Sequence, residues 1–366
     1  MIPMFKVRMD PMAYGLVAGV LGSGMVGEGP KVAELTNALK KYLSVENLLL
    51  LNSGTSALTL ALRLAGVEGG EVITTPFTMI ATNTAIKDAG ATPIFADIEA
   101  NNVNIDVGDI FRKLTPKTRA IMVVHVAGIP CEMPTLATLG IPIIADAAHA
   151  IGSRYGDLHV VHLADYTCFS FQSIKQLTTG DGGAIVIRDR KQYERAEKLK
   201  WFGMTRKVPE GMTRLEHQMT ADVPEWGYKF HMNDIAAAIG LANLPGLDKA
   251  LEQASRNAEY YRQQLCFDRV KGVTLPTIPW SEPSWFAYPL FVENRSRFIA
   301  EMAVRGVETT PMWRRNDLYS TFGRTDLAHM AWLQDQIVFI PVGWWVDTQD
   351  RKYIVKCIKE VQNDER

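Results

Sequence analysis

Between about residues 50 and 190 the chain alternates short apolar, β-rich runs with stretches whose apolar residues recur at helical spacing. The runs Glu71 to Thr75, Thr92 to Ala96, Arg119 to Val126, Ile141 to Ala145, Tyr166 to Phe171 and Ala184 to Ile187 read as strands. Such alternation predicts an α/β fold with a mostly parallel sheet sandwiched by helices, because each parallel crossover lays a helix on a sheet face. Helices are expected from Ser53 to Leu64, Gln192 to Trp201, Met232 to Leu244 and Leu247 to Gln264. Pro245 and Gly246 interrupt the pattern and place a boundary between a large domain, residues 1–245, and a small C-terminal domain, residues 246–366. In the latter, strand-like Phe286 to Val292, helix-like Ser296 to Arg305 and a last helix over Asp350 to Val361 predict an α+β unit.

Length supports this division, since 366 residues that are 47% hydrophobic exceed what one core usually organises. The charge balance narrows the partners. Thirty-nine basic residues against forty acidic ones leave a net charge of −1 without any dense basic block, so the footprint of a nucleic-acid binder is missing. Cys131, Cys168, Cys266 and Cys357 lie far apart with no Cys-x-x-Cys pair, which argues against a disulfide framework or a zinc site and fits a reducing cytoplasm. Charge and proline break the first ten residues, and no later apolar run approaches bilayer-spanning length, so a soluble protein is expected.

Chemistry concentrates at two positions. Lys175 follows the strand Tyr166 to Phe171 and precedes the turn Thr178-Thr179-Gly180-Asp181-Gly182-Gly183, while Asp146 ends the run Ile143-Ile144-Ala145. In a sheet of this kind both fall beyond the carboxyl ends of strands, where ligands collect. A lysine and an aspartate so placed suit pyridoxal 5'-phosphate, whose aldehyde takes up an amine and whose ring nitrogen needs an anion to stay protonated. Read singly, Lys175 is a surface lysine and Asp146 a helix cap; together with His149 and a phosphate-ready helix start they converge on one cofactor. That start is Ser53-Gly54-Thr55-Ser56, whose hydroxyls and free N–H groups suit a phosphate and equally describe an ordinary N-cap. Ser170, five residues before the lysine, offers a further hydroxyl. The glycine-rich stretch Gly22 to Pro30 follows no strand and lacks the Gly-Lys-Ser/Thr ending of a P-loop, so it reads as a flexible loop near a ligand.

Taken together, Gly24 to Leu35, Asn52 to Leu58, Pro76 to Ala85, Asp146 to Gly152, Phe169 to Gly183 and Gly227 to Leu241 resemble the nucleotide-sugar aminotransferases of the DegT and DnrJ family. These are pyridoxal-phosphate enzymes of fold type I, the aspartate-aminotransferase-like architecture. The resemblance implies that Lys175 bonds the cofactor, Asp146 pairs with the pyridine nitrogen and His149 lies by the ring hydroxyl, with Thr55, Ser56 and Ser170 on the phosphate. Two positions depart from the family pattern. Met79 stands where an aromatic residue usually stacks on the pyridine ring, and Lys229 where many relatives carry an asparagine that reaches the neighbouring subunit's phosphate. The implied assembly is a homodimer with shared active sites.

The implied reaction moves an amino group from L-glutamate to a nucleotide-linked keto sugar, foremost a 4-keto-6-deoxyhexose, in amino-sugar biosynthesis for surface polysaccharides or glycosides. Another keto sugar or a cyclitol is an alternative acceptor. Dehydratase relatives usually carry histidine at the lysine position, so Lys175 favours amino transfer. A ligand-sensing regulator without catalysis would not need the intact Lys175, Asp146 and His149, and a nicotinamide dehydrogenase would need a Gly-x-Gly-x-x-Gly after a strand.

Overall fold

The computed structural model describes residues 1–366 apart from 207, 209, 267–269, 271–272, 277–280 and 364–366. Its centre is a seven-stranded sheet formed by β1 (Leu48–Leu51), β2 (Glu71–Thr74), β3 (Thr92–Phe95), β4 (Thr118–Val124), β5 (Ile143–Asp146), β6 (Tyr166–Ser170) and β7 (Gly183–Ile187). The spatial order is β1-β7-β6-β5-β4-β2-β3. Only β7 runs against its neighbours β1 and β6; the other pairings are parallel, as the alternation predicts. The expected strand from Ile141 to Ala145 shifts to include Asp146, so the carboxylate is carried by the last strand residue itself.

β1 was not visible in the pattern. Four consecutive leucines show no period-two alternation and favour helix intrinsically. Their alternation appears in the packing, where Leu49 and Leu51 join the core under α3 (Gly54–Ala65) while Leu48 and Leu50 pack under α2 (Pro30–Leu43). A strand covered on both faces needs apolar side chains at every position, and that requirement produces the unbroken run.

Two N-terminal helices, α1 (Met12–Ser23) and α2, are likewise absent from the sequence expectations. Gly15, Gly19 and Gly22 weaken the helical signal of α1. The start of α2 is capped from far away: the Asp234 carboxylate accepts the N–H groups of Gly29 at 2.8 Å, Lys31 at 3.1 Å and Val32 at 3.0 Å. The stretch Gly22 to Pro30 is thus a fixed connection, with Gly24 ending α1 at φ 72°.

A second layer follows Pro245. The helix Leu247–Leu265 leads to a three-stranded antiparallel sheet of β8 (Val273–Thr274), β9 (Tyr288–Val292) and β10 (Ile337–Ile340), with the helices Arg295–Val304 and Thr348–Asn363 packed on its core. The chain's first residues belong to this layer spatially: Ile2 bridges Val307, and the Trp345 indole N–H donates to the Pro3 carbonyl at 2.9 Å.

One close approach in the large sheet sets up the site. A Cβ added at Gly183, the first residue of β7, would lie 2.4 Å from the Ser53 carbonyl oxygen and 2.6 Å from the Gly54 nitrogen. Backbone on that side cannot yield as a side-chain tip would. Gly183→Ala is therefore expected to displace the start of α3 and cost about 1–3 kcal/mol, read as a lower thermal denaturation midpoint. Parental melting of this variant would contradict so close a contact.

Candidate active site

A cavity of about 510 Å³ opens at the carboxyl ends of β4, β5 and β6, where Val124, Asp146 and Ser170 reach it directly. The parallel sheet dictates that location, because successive strands all deliver their last residues to the same edge. Lys175 enters from the loop after β6 and His149 from the loop after β5.

Asp146 is only 6% exposed, and each of its oxygens has a donor. The Thr82 hydroxyl donates to Oδ2 at 2.7 Å, and the Ala148 backbone N–H donates to Oδ1 at 3.1 Å. The second bond is the local turn that a capping aspartate would make, so the two readings of Asp146 coexist. Burial raises the carboxyl pKa above its ordinary value, against the smaller opposing pulls of the Thr82 hydroxyl, the Ala148 N–H and the charge of Lys175. With a donor at each oxygen, the side chain has the hydrogen-bond partners that an anion needs.

Lys175 as a residue is half-buried, but its amine is desolvated in the cavity, which lowers its pKa from the ordinary 10.5 to about 8 against the opposing pull of Asp146. The amine lies 4.5 Å from the centre of the Phe286 ring. His149 stacks on the same ring at 4.0 Å between centroids and is nearly parallel to Trp313 at 5.4 Å. Burial and the Lys175 charge hold His149 well below the ordinary histidine range, so it is neutral.

The start of α3 forms the wall opposite. Ser53 caps the helix by accepting the Ser56 N–H at 3.0 Å, and Ser53, Gly54 and Thr55 line the cavity together with Ser170. A Cβ at Gly54 would sit 2.8 Å from the Ser170 Cβ, so only glycine lets the helix start close on β6. The Ser56 hydroxyl points elsewhere, donating to the Asn52 Oδ1 at 2.6 Å, and Ser56 is not on the cavity wall. Met79 lies at the rim, largely exposed, where its side chain borders the cavity. Lys229 is exposed and outside the lining; its backbone bridges Trp201. None of Gly22 to Pro30 lines the cavity either.

The residues present fit pyridoxal phosphate. A hydroxyl-bearing helix start suits the phosphate, a buried carboxylate suits the ring nitrogen, and a partly deprotonated amine suits the aldehyde, all within one cavity. Sequence reasoning passed over Thr78, Thr82, Phe5, Phe286 and Met312, which also line it. Phe5, Phe286 and Met312 come from segments far away in the chain and carry no local motif. Thr82 sits inside a stretch whose family likeness was noted, yet nothing in its spacing ties it to Asp146.

The lowered pKa has a measurable consequence for stability. Between about pH 8 and 10.5 the unfolded chain holds more protons at Lys175 than the folded one, so this group makes stability rise with pH across that window. Below pH 8 the cost of burying the amine is fully present. Cofactor-free protein should therefore gain stability relative to Lys175→Met between pH 8 and 10 in urea titrations. A constant gap between the two proteins would show that the amine is not desolvated.

Comparison with known proteins accords with this geometry. The model of the DegT/DnrJ/EryC1/StrS aminotransferase family matches residues 9–359. The sugar aminotransferase CalS13 from Micromonospora echinospora superposes with a TM-score of 0.92 at 35% identity, over 98% of this chain and 100% of that one. Spr1654 from Streptococcus pneumoniae, in its PLP form, gives a TM-score of 0.89 at 26% identity over 99% of both chains, and is also known in a PMP form. A UDP-4-amino-4-deoxy-L-arabinose–oxoglutarate aminotransferase from Shewanella sediminis is 29% identical over 98% of both chains. With fold, cavity and relatives in agreement, the chain belongs to the DegT/DnrJ/EryC1/StrS aminotransferase family, and it is a sugar aminotransferase dependent on pyridoxal phosphate.

Proposed function

We propose that this protein transfers the amino group of L-glutamate to the keto carbon of a nucleotide-linked sugar, foremost a 4-keto-6-deoxyhexose, in amino-sugar biosynthesis in the cytoplasm. The observation that carries this reading is the desolvated Lys175 amine between a buried carboxylate and an apolar wall of Phe5, Phe286, Met312 and Trp313. Such a wall suits the C–H-rich face of a deoxysugar. The names of the Shewanella and Micromonospora relatives support a sugar acceptor and an oxoglutarate-linked donor.

When bound, pyridoxal phosphate supplies an aldehyde for amines and an electron-withdrawing ring that stabilises negative charge on the adjoining carbon. The chain supplies the rest. Lys175, its pKa lowered to about 8, would take a proton from the amino-acid α-carbon and, in the second half of the reaction, deliver one to the sugar carbon that receives the amine. Asp146 holds a positive charge at the ring nitrogen, and neutral His149 offers a hydrogen bond to the ring hydroxyl. Thr55, Ser170 and the free N–H groups of α3 bind the phosphate, with Ser56 bracing Asn52 behind them. Met79, at the cavity rim, would cover one ring face with its polarizable side chain.

The working unit in this reading is a homodimer. Lys229 is exposed on the single chain, free to reach the phosphate of a neighbouring copy. α1 has no charged residue and leaves Met12, Tyr14 and Leu21 more than half exposed, a face suited to a second copy. Each copy is divided near residue 245 into a cofactor-holding body, residues 1–245, and a smaller one, residues 246–366, that adds Phe286, Met312 and Trp313 to the apolar wall.

Glutamate-dependent amination should be assayed across nucleotide keto sugars and inososes. A 4-keto-6-deoxyhexose is expected to turn over best, and consumption of a different acceptor with no glutamate loss would refute the reaction. Lys175→Ala should abolish both turnover and the visible absorbance of the lysine-linked cofactor. Mixing Lys175→Ala with Lys229→Ala should restore activity in heterodimers that carry one intact site, unless the sites are not shared.

A further inference from the structure

The site contains a pair of threonines that no part of the reaction described so far uses. Thr78 and Thr82 are each 1% exposed, and their hydroxyl oxygens lie 2.8 Å apart. Thr82 stands in the first turn of α4 (Ile80–Asp88), and its hydroxyl lies 2.7 Å from the Asp146 Oδ2. A threonine hydroxyl has one hydrogen. Against an ionised carboxylate, which can only accept, that hydrogen must point at Asp146, and the Thr78–Thr82 contact must then be donated by Thr78. Two buried hydroxyls are thereby aligned in one direction, Thr78 to Thr82 to Asp146.

The alignment is anchored from the C-terminal layer. The Asn316 side-chain amide donates to the Thr78 carbonyl at 2.9 Å, and the Asn83 amide, one residue beyond Thr82, donates to the Asn316 Oδ1 at 2.8 Å. Asn316 is 1% exposed and Asn83 fully buried. The turn that presents both threonines is therefore fixed at its backbone and its following side chain, independently of any ligand.

We infer that Thr82, backed by Thr78, is a positioning residue that keeps Asp146 ionised and oriented towards the cofactor's ring nitrogen. This rests on the reading that Asp146 pairs with that nitrogen. The physical grounds are that a hydrogen bond to a charged group in a desolvated setting is among the stronger ones, and that aligned hydroxyls polarise one another. Among the described residues, Thr82 is the one donor to the Asp146 Oδ2, since the Ala148 N–H serves only the other oxygen. Ring-nitrogen protonation governs how well negative charge is absorbed during proton transfer, so the relay acts on rate rather than on substrate binding.

The test uses holoenzyme reconstituted with cofactor labelled with nitrogen-15 in the ring. Thr82→Val, nearly isosteric, should move the ring-nitrogen resonance towards its unprotonated position and lower kcat by about ten- to a hundredfold with KM nearly unchanged. Thr82→Ser, which keeps the hydroxyl, should restore both. Thr78→Val should shift the resonance in the same direction by less, and it carries the test if Thr82→Val does not fold. A parental resonance and kcat in both valine variants would overturn the relay. Asp146→Asn, measured alongside, separates the two levels: if it deprotonates the ring while the valine variants do not, the relay alone fails. If it leaves the ring protonated, the pairing of Asp146 with the nitrogen fails, and the relay with it.

Discussion

Everything at the centre of this protein depends on keeping a carboxylate charged in a place that disfavours charge. Asp146 ends a strand buried on both faces, and burial alone would drive it to its neutral form. Against that burial stand the donors at both oxygens and the nearby Lys175, each of which favours the anion. The same desolvation acts oppositely on the lysine, drawing its pKa towards neutrality. A low-dielectric pocket thus prepares both partners at once, one as a fixed anion and the other as an amine that can lose its proton.

The sheet makes this possible by geometry. Parallel strands bring Val124, Asp146 and Ser170 to one edge, and the close backbone contacts at Gly54 and Gly183 press the start of α3 against that edge. Substituting either glycine would separate the phosphate-ready helix start from the strand serine before it touched any reacting group. Packing in the large sheet and the shape of the cavity wall at this helix start are in this sense one property.

Much of this was legible in the chain. Strands such as Glu71 to Thr74 and Thr92 to Phe95 carry compact apolar runs between turn residues, while Asp146 ends β5 and Lys175 follows β6, on the side of the sheet that the pattern required. What stayed hidden shares a physical cause: it is decided by residues distant in sequence. β1 reads as helix-forming leucine until both sheet faces are covered, and α2 receives its cap from Asp234, some two hundred positions later. The Thr82 bond to Asp146 joins residues 64 positions apart. Phe286 meets Lys175 and His149 from another layer altogether. Local propensity has no access to such pairings.

That other layer does more than cover the cavity. Trp285 and Met312 adopt φ of 51° and 66°, unfavourable for side chains with a Cβ, and they adjoin the cavity's Phe286 and Trp313. Surrounding contacts hold the strain in place. Ser284, just before, is 3% exposed; its hydroxyl donates to the His149 carbonyl at 2.9 Å and lies 2.8 Å from the Ser153 hydroxyl, while the Gln176 amide reaches the same carbonyl at 2.6 Å. A second buried bridge runs from Asn316 to the Thr78 turn. The C-terminal layer therefore grips the loop that carries His149, the Gln176 side chain next to Lys175 and the turn beside Asp146. Because buried polar groups are costly to leave unpaired, these contacts resist independent movement of the layer. A shift large enough to reshape the apolar wall would have to break or carry along the hydrogen bonds that hold His149 and the turn beside Asp146, so the shape of the wall and the setting of these two side chains are mechanically coupled in this fold.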